Sequence, residues 1–151
     1  MKNIAEFITE KLYIRKYSYT PKTLKELDSI IKQRIKEDGN NCDLNDIDVS
    51  HITSMSGLFH LNNTFDGNIS RWNVSNVTDM RQMFLESSFT GNNGGLSDWN
   101  VSNVIDMEQM FDASNIECDL SKWKVNSKCN TDYMFDNTAL EVNPPKWYKN
   151  K

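Results

Sequence analysis

Two aspartates stand at matching places in this chain, Asp79 and Asp106, and paired carboxylates are the usual equipment of general acid–base catalysis. Each follows an asparagine by three residues, Asn76 and Asn103, which is also the form of a helix N-cap with an acidic third residue. The second reading is the better one. A residue that recurs with a repeat caps or packs, whereas a catalytic residue is usually singular. His51, His60, Cys42, Cys118 and Cys129 contain no C-x-x-C and no H-x-x-x-H spacing, so no metal site is expected, and Cys118 and Cys129 read as small buried hydrophobes. Asp43, Asp46 and Asp48 lack the downstream glutamate of a calcium loop. Gly91-Asn-Asn-Gly-Gly95 is followed by no Gly-Lys-Ser/Thr and so is no phosphate loop. The serines of Val-Ser-Asn-Val are explained by local backbone hydrogen bonding. No enzyme activity and no cofactor are expected.

The elements that carry these residues are repeats. Trp72-Asn-Val-Ser-Asn-Val-Thr-Asp-Met-Arg-Gln-Met-Phe84 returns almost unchanged as Trp99-Asn-Val-Ser-Asn-Val-Ile-Asp-Met-Glu-Gln-Met-Phe111, 27 residues later. Weaker copies flank this pair, one from Leu44 to Phe59 and one from Leu120 to Phe135, and a half-unit ends at Trp147. Self-similarity at such a period is the mark of stacked units. Ile69, Trp72 and Val74 suit a pleated, half-buried strand, and Val77, Met80, Met83 and Phe84 fit one face of a short helix. Stacking then sets Trp72 over Trp99 over Trp123, and Phe59 over Phe84 over Phe111 over Phe135. Cys129 matches neither Val104 nor Met107 in register, so the last unit reads as irregular.

The run Phe65 to Phe84, F-x-G-N-I-S-x-W-N-V-S-N-V-x-D-M-x-x-M-F, and its second copy resemble the BspA-like leucine-rich repeats of bacteria and mycoplasmas. The resemblance covers about residues 42–147 and implies an α/β repeat fold: a right-handed solenoid with a short parallel ladder on one side and short helices on the other. It also implies binding rather than catalysis, since the known relatives are mostly surface or adhesion proteins.

The first 40 residues differ from the rest. They hold nine Lys/Arg against six Asp/Glu, whereas residues 41–151 hold eight against fifteen. Two helices are expected there, one capped by Asn3 and running to about Leu12 or Tyr13, the other starting at Thr20-Pro21 and stopped by Gly39. The expected organisation is therefore an N-terminal helical cap over 1–40 and repeats over 41–151, closed by Asn143-Pro-Pro-Lys-Trp147. The basic residues Lys22, Lys25, Lys32, Arg34 and Lys36 are interrupted by acids, and the repeats are acidic, so direct nucleic-acid binding is not expected. Neither a signal peptide nor a membrane-spanning run is apparent, and three cysteines form no obvious pairs, which points to a reducing cytoplasm; the alternative address is the cell surface after removal of a leader.

These features predict a non-catalytic module that docks onto another protein, with a phage or mobile-element inhibitor of a host defence or nucleic-acid-handling complex as the specific version and a surface adhesion protein as the alternative. Specificity is expected at exposed positions that vary between units: Arg71, Asp98 and Lys122 before each Trp, Arg81 and Glu108 on the helices, and Asn92 and Asn93 in the inserted loop. An exposed ladder edge also leaves homo-oligomerisation open.

Overall fold

The computed structural model describes Asn3, Ile4 and residues 17–149. The expected first helix, over Asn3 to Leu12 or Tyr13, falls on residues outside that set. Helix α1 spans Leu24–Asp38. Its cap is Thr23, whose hydroxyl accepts from the Glu26 amide at 3.2 Å, so the helix starts three residues later than the Thr20-Pro21 signal suggests. Gly39, at φ 89°, ends it and donates to the Ile35 carbonyl. Leu27 and Ile31 are fully buried against the first repeat, with Leu24, Ile30 and Ile35 packed beside them. Arg34 ties α1 down. It donates to Asp38 at 2.6 Å, to both Asp46 oxygens at 2.8 and 2.9 Å and to the Asp43 carbonyl at 3.1 Å, and its guanidinium lies 5.8 Å from the centre of the Tyr19 ring.

Beyond α1 the chain winds into successive coils, and here the structure corrects the sequence reading. Among the described residues no β-sheet forms, and the parallel ladder is reduced to isolated bridges: Tyr19 with Ile47, Asp43 with Asn68, and the row Ser54–Asp79–Asp106–Asn130. Among the described residues after α1 the short helices are absent as well, and one 3-10 turn forms, Ala139–Glu141. The α/β leucine-rich-repeat solenoid of ladder and helices is therefore not the fold. Each coil has a half built of tight turns, bearing a Trp in every coil but the first (Ile47 there), and a second half, such as 80–87, that is a train of overlapping turns.

The backbone of the second half explains both absences. The turns close by i to i+3 bonds, Met83 to Met80, Leu85 to Gln82 and Ser87 to Phe84. The intervening amides point out of the coil and donate to the next one: Met80 to Asp106, Gln82 to Glu108, Phe84 to Met110 and Glu86 to Asp112. Half the N–H groups are thus satisfied within a coil and half between coils, leaving none for an α-helix and too few for a sheet. Left-handed residues enforce the pattern. Gly57, Gln82, Gln109 and Tyr133 occupy one repeat position at φ 66°, 54°, 53° and 58°, and Leu61, Glu86, Ala113 and Asn137 occupy the position four residues on, at 57°, 52°, 52° and 57°. A non-glycine residue in this region costs about 1–2 kcal/mol, which the intercoil hydrogen bonds and the core must offset. The spacing of Met80, Met83 and Phe84 is met all the same, because turns three residues apart bring the same side chains inward.

The interior is a set of side-chain columns. Phe59, Phe84, Phe111 and Phe135 stack at centroid separations of 5.3, 5.5 and 5.8 Å with interplanar angles of 4° to 6°. Such pairs add about 0.5–1.5 kcal/mol each beyond burial. Trp72 lies over Trp99 at 6.4 Å, but Trp123 pairs with Trp147 at 6.0 Å and leans on Phe111 at 6.3 Å and 38°. Each indole N–H reaches back to a carbonyl of the preceding coil: Trp72 to Leu44 (2.9 Å), Trp99 to Ile69 (3.2 Å), Trp123 to Leu96 (2.8 Å) and Trp147 to Leu120 (2.8 Å). A further column, Phe65, Phe89, Ile116 and Leu140, fills the remaining space. Cys129 holds the place of Val77 and Val104: it is buried and donates its amide to the residue three back, as they do, so the last coil is more regular than the sequence register implies.

Candidate functional site

The residues that could do chemistry are occupied by structure. Asp79 and Asp106 cap no helix. Each accepts the amide two residues on, Arg81 and Glu108, at 3.0 Å, closing a local turn. Asn76 and Asn103 instead donate side-chain amides to the Ser50 and Ser75 carbonyls of the preceding coil, at 2.8 and 2.7 Å. Burial alone would raise the Asp79 carboxyl, but hydrogen bonds from the Arg81 side chain and backbone, the Arg81 charge and the Ser54 hydroxyl hold it below its ordinary value. A carboxylate kept ionised in this way is a poor proton donor.

The three cysteines are free thiols. Burial pushes Cys42 and Cys118 above their ordinary value and Cys129 up to about 11, so the thiolate a nucleophile needs is suppressed. His51 and His60 are exposed on the first coil. Among the described residues, no group of three or more His, Cys, Asp or Glu is placed to hold a metal ion.

The expected contact residues fall into two rows and a loop. Arg71, Asp98 and Lys122 are exposed at equivalent places before successive tryptophans, one per coil. The Arg71 amide donates to the buried Asn45 side chain at 2.7 Å, which fixes the backbone under the row. Arg81 and Glu108 lie on the turn half rather than on helices. Arg81 is exposed, bonded to Asp79 at 3.1 and 2.9 Å and 3.6 Å from Asp106, while Glu108 is half-buried. Sequence reasoning missed what lies between them: the Gln82 amide donates to the Gln109 side-chain oxygen at 2.9 Å, a rung that the two identical Met-x-Gln-Met-Phe segments could have disclosed.

The inserted loop is pinned. Asn92 donates to Glu117 at 2.9 Å, Asn93 donates to the Asp66 carbonyl, and Thr90 donates to the Asp66 carboxylate. Gly94, at φ 120°, passes so close to Asn68 that an added Cβ would stand 2.5 Å from its side-chain oxygen. The loop is a fixed projection.

A family model matches residues 26–147, and its description is "Mycoplasma protein of unknown function, DUF285". The chain belongs to this family. The DUF285 match runs from the first turn of α1 to Trp147, so all but the first two residues of the helix, and the coils, lie within it. No curated protein and no solved structure matches this DUF285 chain. No helix among its described residues is long and apolar enough to cross a membrane.

Proposed function

We propose that this chain is a non-catalytic interaction module that works by occupying another protein. One observation carries the reading: the devices that hold the stack repeat from coil to coil, whereas charge at equivalent exposed positions does not. Before the tryptophans the sign runs from Arg71 to Asp98 to Lys122, and on the turn half the exposed Arg81 is answered by the half-buried Glu108 and Asp132. A fixed frame with variable charge suits recognition of one partner surface.

The turn half is strongly acidic, which supports a basic groove as its target. An inhibitor from a phage or mobile element, seated on a host defence or nucleic-acid-handling complex, is the specific form of this reading. Three free thiols support a reducing compartment.

The test is capture of a partner by the tagged chain from host lysate, repeated with Arg71→Glu, Asp98→Lys and Lys122→Glu combined. One stoichiometric intracellular partner, lost in the variant while the melting temperature holds, is the expected result. Capture unaffected by the reversal would remove these positions from the interface. Binding only to intact cells or matrix proteins would move the assignment to adhesion.

A further inference from the structure

The stack is closed at both ends over its Trp-bearing half. At the start, Ser18 and Tyr19 add a segment to the first coil: Ser18 donates to Asp46, and Asp48 donates to Tyr19. At the end, residues 143–147 lay Trp147 on Trp123. Among the described residues the turn half receives no such layer at the start. Within the stack, the carbonyls of Asp79, Arg81, Met83 and Leu85 accept amides from the coil before; the equivalent carbonyls of the first coil, Ser54, Ser56, Leu58 and His60, receive no hydrogen bond among the described residues. Two of these residues, Leu58 and His60, line a groove of about 450 Å³ whose far wall is α1, through Asp28, Ile31, Lys32 and Ile35, and whose rim carries Leu61, 55% exposed.

We propose that this groove binds an extended peptide segment of the partner protein, which lies parallel to residues 57–61 and donates alternate backbone amides to the Leu58 and His60 carbonyls. The inference rests on the interaction-module reading and names how that partner is held. The occupant follows from the junctions inside the stack, where the same carbonyls accept alternate amides from a neighbouring segment. A second copy of this chain has donors of the right spacing, since Thr131, Tyr133 and Phe135 leave their amides unbonded among the described residues. It cannot bring them close. The closing segments at the two ends each add a layer of roughly 4.8 Å, and α1 stands over the groove as well. A single strand fits where a coil does not. Leu58, Leu61 and Ile35 favour an apolar side chain on the segment, and the Asp28–Lys32 pair (2.7 Å) lies at the wall.

The experiment is selection of linear peptides from a phage-displayed library on the immobilised full chain, followed by an N-methyl scan of the winners. Removing one donated hydrogen bond lowers affinity roughly tenfold. Expected is a loss at alternate amides only, a comparable loss with Leu61→Arg, and no change with Tyr133→Arg at the opposite end. Peptides that bind with no alternation, or that ignore Leu61→Arg, overturn the proposal. So does failure of the library to yield a binder that Leu61→Arg weakens. Concentration-dependent dimerisation abolished by Leu61→Arg would assign the groove to a second copy instead. A lysate partner that is lost on charge reversal but indifferent to Leu61→Arg would leave the interaction module standing and remove this groove from it.

Discussion

The two halves of each coil solve the same problem by different means. The Trp half, taken over residues 68–77, 96–104, 118–129 and 143–149, carries six Lys/Arg against two Asp/Glu; the turn half, over 78–88, 105–115 and 130–141, carries one Arg against eight Asp/Glu. The Trp half is held to its neighbour largely through a side chain, the indole reaching a carbonyl one coil back. The turn half is held through the backbone, four amides per junction from residues alternating along the chain. A side chain can be removed by one substitution; a backbone ladder can be disturbed only through φ or through what packs beneath it. The halves should therefore differ in how they break.

The largest effect is expected at the Trp half. Trp99→Ala removes a buried aromatic and leaves a cavity beside Trp72, costing about 3–5 kcal/mol; a guanidinium midpoint equal to that of the parent would refute the side-chain link. Trp99→Phe keeps most of the volume and removes one of the two bonds to the Ile69 carbonyl, which keeps the Trp72 amide, with a smaller loss of about 0.5–1.5 kcal/mol. Next comes Gly67, where an added Cβ would stand 2.3 Å from the Cys42 carbonyl and 2.5 Å from the Phe65 ring. Gly67→Ala should cost about 1–3 kcal/mol by overpacking, read from the same denaturation series.

The sharpest comparison is one of sign. In a helix Ala→Gly destabilises by about 1 kcal/mol. Ala113 is exposed and left-handed, at φ 52°, so Ala113→Gly should instead stabilise, by up to about 1 kcal/mol. A lowered melting temperature would return this segment to the helix that its sequence suggests. The smallest effect is electrostatic. The folded Asp79 carboxyl lies below its ordinary value, so its contribution is present above the unfolded value and fades as pH falls through the folded one. Asp79→Asn should lower stability in the neutral region and change it little at acid pH, so that the acid limb of the profile flattens; an unaltered acid limb would contradict the Arg81 and Ser54 contacts.

Why the halves read differently from sequence follows from the same physics. The identical segments Trp72–Phe84 and Trp99–Phe111 disclose that equivalent residues sit in equivalent places, and the Phe column is where their spacing puts it. Met80, Met83 and Phe84 satisfy a helical stripe and a train of turns equally, since both advance three to four residues per inward-facing side chain. Side-chain periodicity cannot tell them apart. The deciding fact is the left-handed φ at Gln82, Glu86 and Ala113, residues with no intrinsic taste for it; Gly57 and Asn137 alone among the eight hint at the requirement. Asp79 was drawn toward a helix cap by the same error, because an aspartate that closes a two-residue turn and one that sits at a helix start have the same neighbours in sequence. The groove beside α1 has no sequence signature, being made of carbonyls that every residue possesses.

Those carbonyls belong to a larger alignment. In the turn half every junction points four amides forward along the stack, from Met55, Gly57, Phe59 and Leu61 through to Met107, Gln109, Phe111 and Ala113, while only one or two backbone amides per junction (Thr78, Ser88, Ile105, Asn115 and Asn130) point backward. Peptide dipoles summed in one direction leave the molecule with a negative pole at α1 and a positive pole at the far end, as in a helix but carried across separate coils. At the positive pole the Asn137 amide is met by the Glu141 carboxylate at 2.9 Å. The molecule is consequently polar along its axis as well as across it, and a charged partner approaching would be turned end-on before any side chain touched it.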